Sequence, residues 1–113
     1  MSCDVSVIIC AYNHEKWIER SIRSVLNQTL VSDNSVEILV VNDASQDATK
    51  EIIEKFIDYP NIKIINNERN LGLPTSINIA IKQSSGRYIV RVDSDDYVQR
   101  NFIFFMKFYL DYN

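Results

Sequence analysis

Apolar and polar positions follow two rhythms along the chain, and the rhythm switches at short intervals. Residues 5–11, VSVIICA, are β-branched and almost continuously apolar, as expected of a strand covered on both faces. The run breaks at Tyr12, Asn13 and His14. Trp17, Ile18, Ser21, Ile22, Val25 and Leu26 then recur at helical spacing, opposite Glu15, Lys16, Glu19, Arg20 and Arg23, which predicts an amphipathic helix with Trp17 in the core. A polar loop at 32–35 leads into a second strand at 36–41, which stops at Asn42 and Asp43. Ser45 and Asp47 offer N-cap oxygens to a second helix with apolar positions Ala48, Ile52, Ile53, Phe56 and Ile57, ended by Pro60 and Asn61. A third strand at 62–65 runs into the polar loop 66–70. Gly72 suits a turn of positive φ, and Pro74 suits the first turn of a helix reaching about Ser84, with Leu73, Ile77, Ala80 and Ile81 as its buried face. After Ser85 and Gly86 come a fourth strand at 88–92, the run Asp93 to Asp96, and an aromatic helix at about 99–112 with Phe102, Phe105, Met106 and Tyr109 as core.

Strand and helix thus alternate four times, with short connections. This predicts an α/β fold: a Rossmann-like, three-layer α/β/α arrangement with a mostly parallel sheet and helices on both faces. Ligands of such sheets bind beyond the carboxyl ends of the strands. The polar clusters sit at those ends: Tyr12, Asn13 and His14 after the first strand, Asn42 and Asp43 after the second, residues 66–70 after the third, and Asp93 to Asp96 after the fourth.

Composition narrows the chemistry. The 113 residues suffice for one domain, and 46% hydrophobic with 24% charged residues is ordinary for a globular protein. The two glycines, Gly72 and Gly86, are too far apart for a dinucleotide fingerprint or a P-loop. One histidine excludes a His-x-x-x-His zinc helix, and Cys3 and Cys10 lack the close spacing of a structural zinc site. Twelve basic against fifteen acidic residues, a net charge of −3, removes the basic surplus that draws proteins to nucleic acid. A phosphate ligand would then call for a divalent cation between it and the acidic side chains. The sequence shows no secretory signal and no apolar run long enough to span a bilayer, and two unpaired thiols fit the cytosol.

Asp93 and Asp95, spaced i and i+2 after a buried strand, offer the hard oxygen ligands that magnesium and manganese take together with substrate phosphates. Alone, the same pair reads equally as a turn or a helix cap, and capping is the stronger reading for Asp96. Asp43 is either a turn residue or an acceptor for the ring N–H of uracil, thymine or guanine. His14, with no clear serine partner and no second histidine, reads as a polar residue opening a helix. Arg69 reads as a solvated loop residue and Cys10 as a small core residue.

Taken together, VSVIICAYNHEKWIERSIRSVLNQ at 5–28, VEILVVNDASQDAT at 36–49, NLGLPTSINIAI at 70–81 and GRYIVRVDSDD at 86–96 resemble the nucleotide-binding half of a family 2 glycosyltransferase of GT-A fold. The resemblance covers nearly the whole chain, so residues 1–113 are expected to form one partial nucleotide-sugar-binding domain, truncated before the acceptor-binding half. It implies that Ala11 and Tyr12 line a uridine pocket, that Asp43 binds the base edge, and that Glu15 touches the nucleotide. It further implies that Asp93 lies near the ribose, with Ser94 between it and Asp95, and that Asp95 holds Mg2+ or Mn2+ on the diphosphate. Asn70, Gly72 and Asn78 match the family's loop and helix beneath the site, whereas Ile77 stands where an Arg commonly precedes the Asn.

The implied reaction is transfer of a sugar from a nucleotide diphosphate, UDP first with dTDP and GDP open, to a glycan or lipid-linked acceptor, with inversion. The general base is expected beyond residue 113, so no catalytic residue is assigned within the chain. Peripheral membrane association of the full protein and self-association through an exposed edge of the sheet stay open. A competing reading is a non-catalytic nucleotide-binding or self-associating α/β module. A receiver-type phosphoacceptor would need an acidic pair where Tyr12 and Asn13 stand.

Overall fold

A computed structural model describes residues 4–27 and 35–95. The expected last helix with its aromatic group, Asp96, Cys3 and most of the loop at 32–35 lie outside the described residues. The elements run β1 (Val5–Ala11), α1 (Ile18–Leu26), β2 (Val36–Asn42), α2 (Thr49–Glu54), β3 (Ile62–Asn66), α3 (Leu73–Gln83) and β4 (Tyr88–Arg91). The strands form a sheet in the order β3-β2-β1-β4, and every pairing is parallel. Val5 pairs with both Val36 and Tyr88, so β1 is flanked on both sides from its first residue.

The period-two alternation of side chains sorts the core into two layers. Val5, Val7, Ile9 and Ala11 of β1, with Val36, Ile38 and Val40 of β2, meet Ile18, Ile22 and Val25 of α1 and Ile53 and Phe56 of the α2 segment. On the opposite face Ile8, Leu39 and Val41 pack on Ala80 of α3, with Cys10 and Ile65 at the margin. Helices therefore cover both faces, as the continuous apolar runs of β1 and β2 require. Among the described residues no helix is long and apolar enough to cross a membrane.

Three details differ from the sequence reading. Trp17 is 41% exposed and meets His14 edge-to-face, because α1 begins one residue later and leaves the indole outside its buried stripe. On α3, Leu73 and Ile81 are exposed while Ser76 and Ala80 are buried, since Ser76 is turned inward by its hydrogen bond with Asn67. The second helix is also shorter than its apolar spacing suggests, and Ile57 is 66% exposed.

A polar latch secures β4 at the amino end of the sheet. Glu37, almost buried in β2, accepts hydrogen bonds from Ser6 Oγ (2.5 Å) and from Ser85 N–H (2.5 Å) and Oγ (3.0 Å), and Lys63 Nζ lies 3.5 Å away. Burial pushes its carboxyl up, but the Ser6 and Ser85 donors and Lys63 together hold it below the usual range. Gly86 N–H donates to Ser6 Oγ at 2.7 Å. A Cβ at Gly86 would overlap Ser6 Oγ and N and come within 2.8 Å of the Val5 carbonyl carbon, so only glycine lets the chain enter β4 here.

Candidate functional site

At the carboxyl ends of β1 and β2, the backbone is diverted by two non-glycine residues with positive φ, Asn13 (56°) and Ala44 (60°). Four hydrogen bonds zip the two loops together. Asn13 N–H donates to Ser45 Oγ (3.0 Å), and Asn13 Oδ1 accepts from Gln46 N–H (2.8 Å). His14 N–H donates to Thr49 Oγ1 (2.9 Å) and Glu15 N–H to Asp47 Oδ2 (3.3 Å). Asp47 Oδ1 also accepts from Thr49 N–H at 2.9 Å, but it stands one residue ahead of the N-cap position, which is Ala48 and has no side-chain cap. Ser45 instead bonds back to the first loop.

Asp43 organises the next segment. Its side chain is 4% exposed, and Oδ1 accepts from Leu71 N–H (2.8 Å) and Asn67 Nδ2 (2.9 Å) while Oδ2 accepts from Gly72 N–H (2.9 Å). Asn70 Nδ2 reaches the Asp43 carbonyl at 3.4 Å. Burial raises the Asp43 pKa, but the hydrogen bonds from Leu71, Asn67, Gly72 and Ser76 outweigh it and the carboxyl is held below its ordinary range. The turn residue and the anion are thus the same group. Leu71 and Gly72 present two consecutive N–H groups to this carboxylate, and Gly72, with φ of 90°, supplies the positive-φ backbone by which the chain then enters α3.

The turn after β4 is tied down from two directions. Ser21 Oγ of α1 donates to the Asp93 carbonyl at 3.1 Å, and His14 Nδ1 makes a short hydrogen bond with Ser94 Oγ. His14 therefore does have a serine partner, 80 residues away in sequence. Ser94 is 2% exposed and no carboxylate orients the ring among the described residues, so the pair is a tether and lacks the arrangement of a nucleophile and base. The Asp93 and Asp95 side chains remain exposed.

These loops enclose a cavity of about 430 Å³, within the range of small-molecule sites. Of the residues singled out in the sequence, Ala11, Tyr12, Asp43, Asp93, Ser94 and Asp95 line it. Glu15 does not. Its side chain is exposed and its backbone serves the loop zipper. Arg69 and Asn78 are exposed, and Asn70 braces Asp43. Cys10, His14, Leu73, Ser76 and Arg91 also line the cavity. Arg91 was not singled out from the sequence; the signal that could have found it is its i−2 spacing from Asp93 at the end of β4. Cys10 is half-buried, and burial pushes its thiol up to about 11, with Arg91 lowering it and Asp43 raising it.

The donor set matches hard-cation chemistry only in part. Among the described residues no group of three His, Cys, Asp or Glu side chains could hold a metal ion. Two carboxylates beside a ligand-sized cavity fit a magnesium or manganese ion completed by phosphate oxygens, and do not fit a protein-only cage.

The sequence profile described as Glycosyl transferase family 2 matches residues 6–106. An uncharacterised glycosyltransferase of Haemophilus influenzae is 43% identical over 110 residues, a match spanning 96% of this chain and 33% of that protein. The crystal structure of S. aureus TarS 1-349 in complex with UDP superimposes with a TM-score of 0.86 at 34% identity, over 96% of this chain and 32% of that one. A mannosyltransferase from Pyrobaculum calidifontis, solved with GDP-Man and Mn2+, shares the fold at 24% identity and a TM-score of 0.76, over 86% of this chain and 29% of its own. The chain spans about a third of the length of these proteins.

Proposed function

Because the chain belongs to glycosyl transferase family 2, we propose that it forms the donor-binding part of an inverting, metal-dependent, cytoplasmic glycosyltransferase. The donor is a nucleotide diphosphate sugar, UDP-linked first, with dTDP and GDP as the other candidates. The acceptor is a hydroxyl of a glycan or a lipid-linked glycan. One observation carries the reading: the cavity at the carboxyl end of the sheet gathers Ala11, Tyr12, Asp43, Asp93, Ser94 and Asp95 in a fold shared with UDP-bound TarS.

In this reading Tyr12, 41% exposed at the cavity, offers its ring to the base. Asp43 lines the cavity and offers its carboxylate as the acceptor for a ring N–H. Asp93 accepts from the ribose hydroxyls, and Asp95 holds the cation. When bound, a divalent cation supplies Lewis-acid stabilisation of charge on the departing diphosphate. Ser21 and His14 hold the Asp93–Asp95 turn in place by the Asp93 carbonyl and Ser94 hydroxyl. The acceptor must lose its proton to a general base, which this reading assigns to a segment beyond residue 113.

Calorimetric titration tests the reading. UDP should bind in the presence of Mg2+ or Mn2+ and not without it, and Asp95→Ala should abolish the metal-dependent part. Equal binding by the variant defeats the metal role, and no binding of any nucleoside diphosphate defeats the donor reading. The chain alone should transfer no sugar. The second reading, self-association, rests on β4 standing at an edge of the sheet among the described residues, and sedimentation of the chain at rising concentration decides it.

A further inference from the structure

Asp93 and Asp95 are chemically identical but not electrically equivalent. Arg91 leaves β4 on the same face as Asp93, two residues on, and lines the cavity with both carboxylates. Its Nη2 donates to Asp93 Oδ1 at 2.7 Å and its Nε to the same oxygen at 3.2 Å. Asp95 makes no ion pair among the described residues. One carboxylate of the turn is therefore neutralised and clasped by an adjacent guanidinium, while the other is free.

We propose that Arg91 is a positioning residue that divides the labour of the two carboxylates, holding Asp93 out of the cation's coordination sphere and leaving Asp95 to ligate it. The inference rests on the reading of the cavity as a nucleotide-diphosphate site. Two free carboxylates at i and i+2 would bring two negative charges to one hard cation and raise its affinity for the turn before the phosphate oxygens complete the site. With Arg91 in place, Arg91, Asp93 and Asp95 together carry a net charge of −1, and firm cation binding waits for the diphosphate to add its own oxygens. Asp93, its Oδ1 occupied, keeps Oδ2 as an acceptor for a donor hydroxyl. Arg91 fits this duty better than Lys would, because a planar guanidinium directs two N–H groups at one carboxylate in fixed geometry.

The test is direct Mn2+ binding by the whole chain without nucleotide, followed by the loss of the free-ion paramagnetic resonance signal. The variants are Arg91→Gln, Arg91→Met as a second neutral replacement, Asp93→Asn, and each Arg91 variant combined with Asp93→Asn. The Arg91 and Asp93 side chains are 49% and 55% exposed, so these replacements leave the core untouched, which circular dichroism verifies. Removing the guanidinium charge should tighten Mn2+ binding about three- to tenfold at 0.1 M salt. Asp93→Asn should weaken Mn2+ binding at least threefold more in the Arg91-neutral chains than beside the native Arg91, because only there does Asp93 become a ligand. Equal factors in both backgrounds would show that Arg91 acts as a distant charge only, and an unchanged Mn2+ affinity in both neutral variants would overturn the inference outright. UDP titration with Mn2+ is read separately. A native chain that fails to bind UDP refutes the donor-site reading, whereas intact UDP binding with unaltered Mn2+ affinities refutes the division of labour alone.

Discussion

Replacing Asp43 should unlock the segment from Asn67 to Gly72 before it disturbs the sheet. Its carboxylate accepts three hydrogen bonds, from Leu71 N–H, Gly72 N–H and Asn67 Nδ2, at 2.8–2.9 Å while 4% exposed. Hydrogen bonds to a charged acceptor contribute roughly 1.5–3 kcal/mol each, and three that share one group do not add in full. Asp43→Asn keeps the shape, leaves a carbonyl for Leu71 and Asn67, and turns an amide N–H₂ toward Gly72 N–H. The donor clash and lost charge should cost about 2 kcal/mol, and Asp43→Ala about 3–4 kcal/mol. Against a typical domain stability of roughly 5–15 kcal/mol, these changes lower the melting temperature by about 10–20 °C. The pH dependence has a definite sign. The folded pKa is depressed below the ordinary 3.8, so this stabilisation is present above 3.8 and is lost as pH falls through the folded value. Urea titrations between pH 2.5 and 7 should show that loss in the native chain and a weaker one in Asp43→Asn, and amide exchange should show Leu71 and Gly72 deprotected in the variant. A stability change under about 0.5 kcal/mol with both amides still protected would refute the account of Asp43 as the pin of this loop.

Two backbone positions give further tests. Gly86→Ala would force a Cβ into the Ser6 backbone and within 2.8 Å of the Val5 carbonyl carbon, so it should destabilise by at least about 2 kcal/mol, measured as a lower urea midpoint. Ala44→Gly should do the reverse on a smaller scale. Relief of the left-handed strain at φ 60° is worth about 1–2 kcal/mol, offset by about 0.4–1 kcal/mol of added unfolded-state entropy, for a net gain of about 0.5–1 kcal/mol in the same assay.

Elements and site differ in how far the sequence alone discloses them. The four strands were legible because each is a short apolar run closed by a polar cluster, and α1 because its buried stripe repeats at 3.6 residues. The convergence of Ala11, Tyr12, Asp43, Asp93, Ser94 and Asp95 was legible for a topological reason: a parallel sheet brings every strand's carboxyl end to one rim. The cross-links were not. Nothing local announces that His14 meets Ser94, that Ser21 meets the Asp93 carbonyl, or that Asp43 gathers the N–H groups of Leu71 and Gly72, because these are pairings between loops, and loops have no period. Trp17 and Leu73 were misplaced for a related reason. Apolar periodicity identifies a stripe but not its end: Trp17 is the residue before α1, and Leu73 is the first residue of α3.

The two ends of the sheet divide the work of holding β4. The strand is only four residues long, and its outermost register pair with β1 is Ile8 and Arg91, one residue short of Val92 and two short of Asp93. So short a ladder would leave the following turn free to pivot. At the amino end the Glu37, Ser6 and Ser85 latch and the close Gly86 approach fix where the strand starts. At the carboxyl end Val92 N–H adds a bond to the Ile8 carbonyl at 3.0 Å, and Ser21 and His14 catch the turn itself. Small errors in strand register become whole side-chain reversals, since a slip of one residue would send Asp93 to the α1 face and Val92 to the cavity. The buried carboxylate of Glu37, at the end of the sheet away from the cavity, is thus part of what orients Asp93 and Asp95, and a substitution there should disturb the cavity as well as the fold.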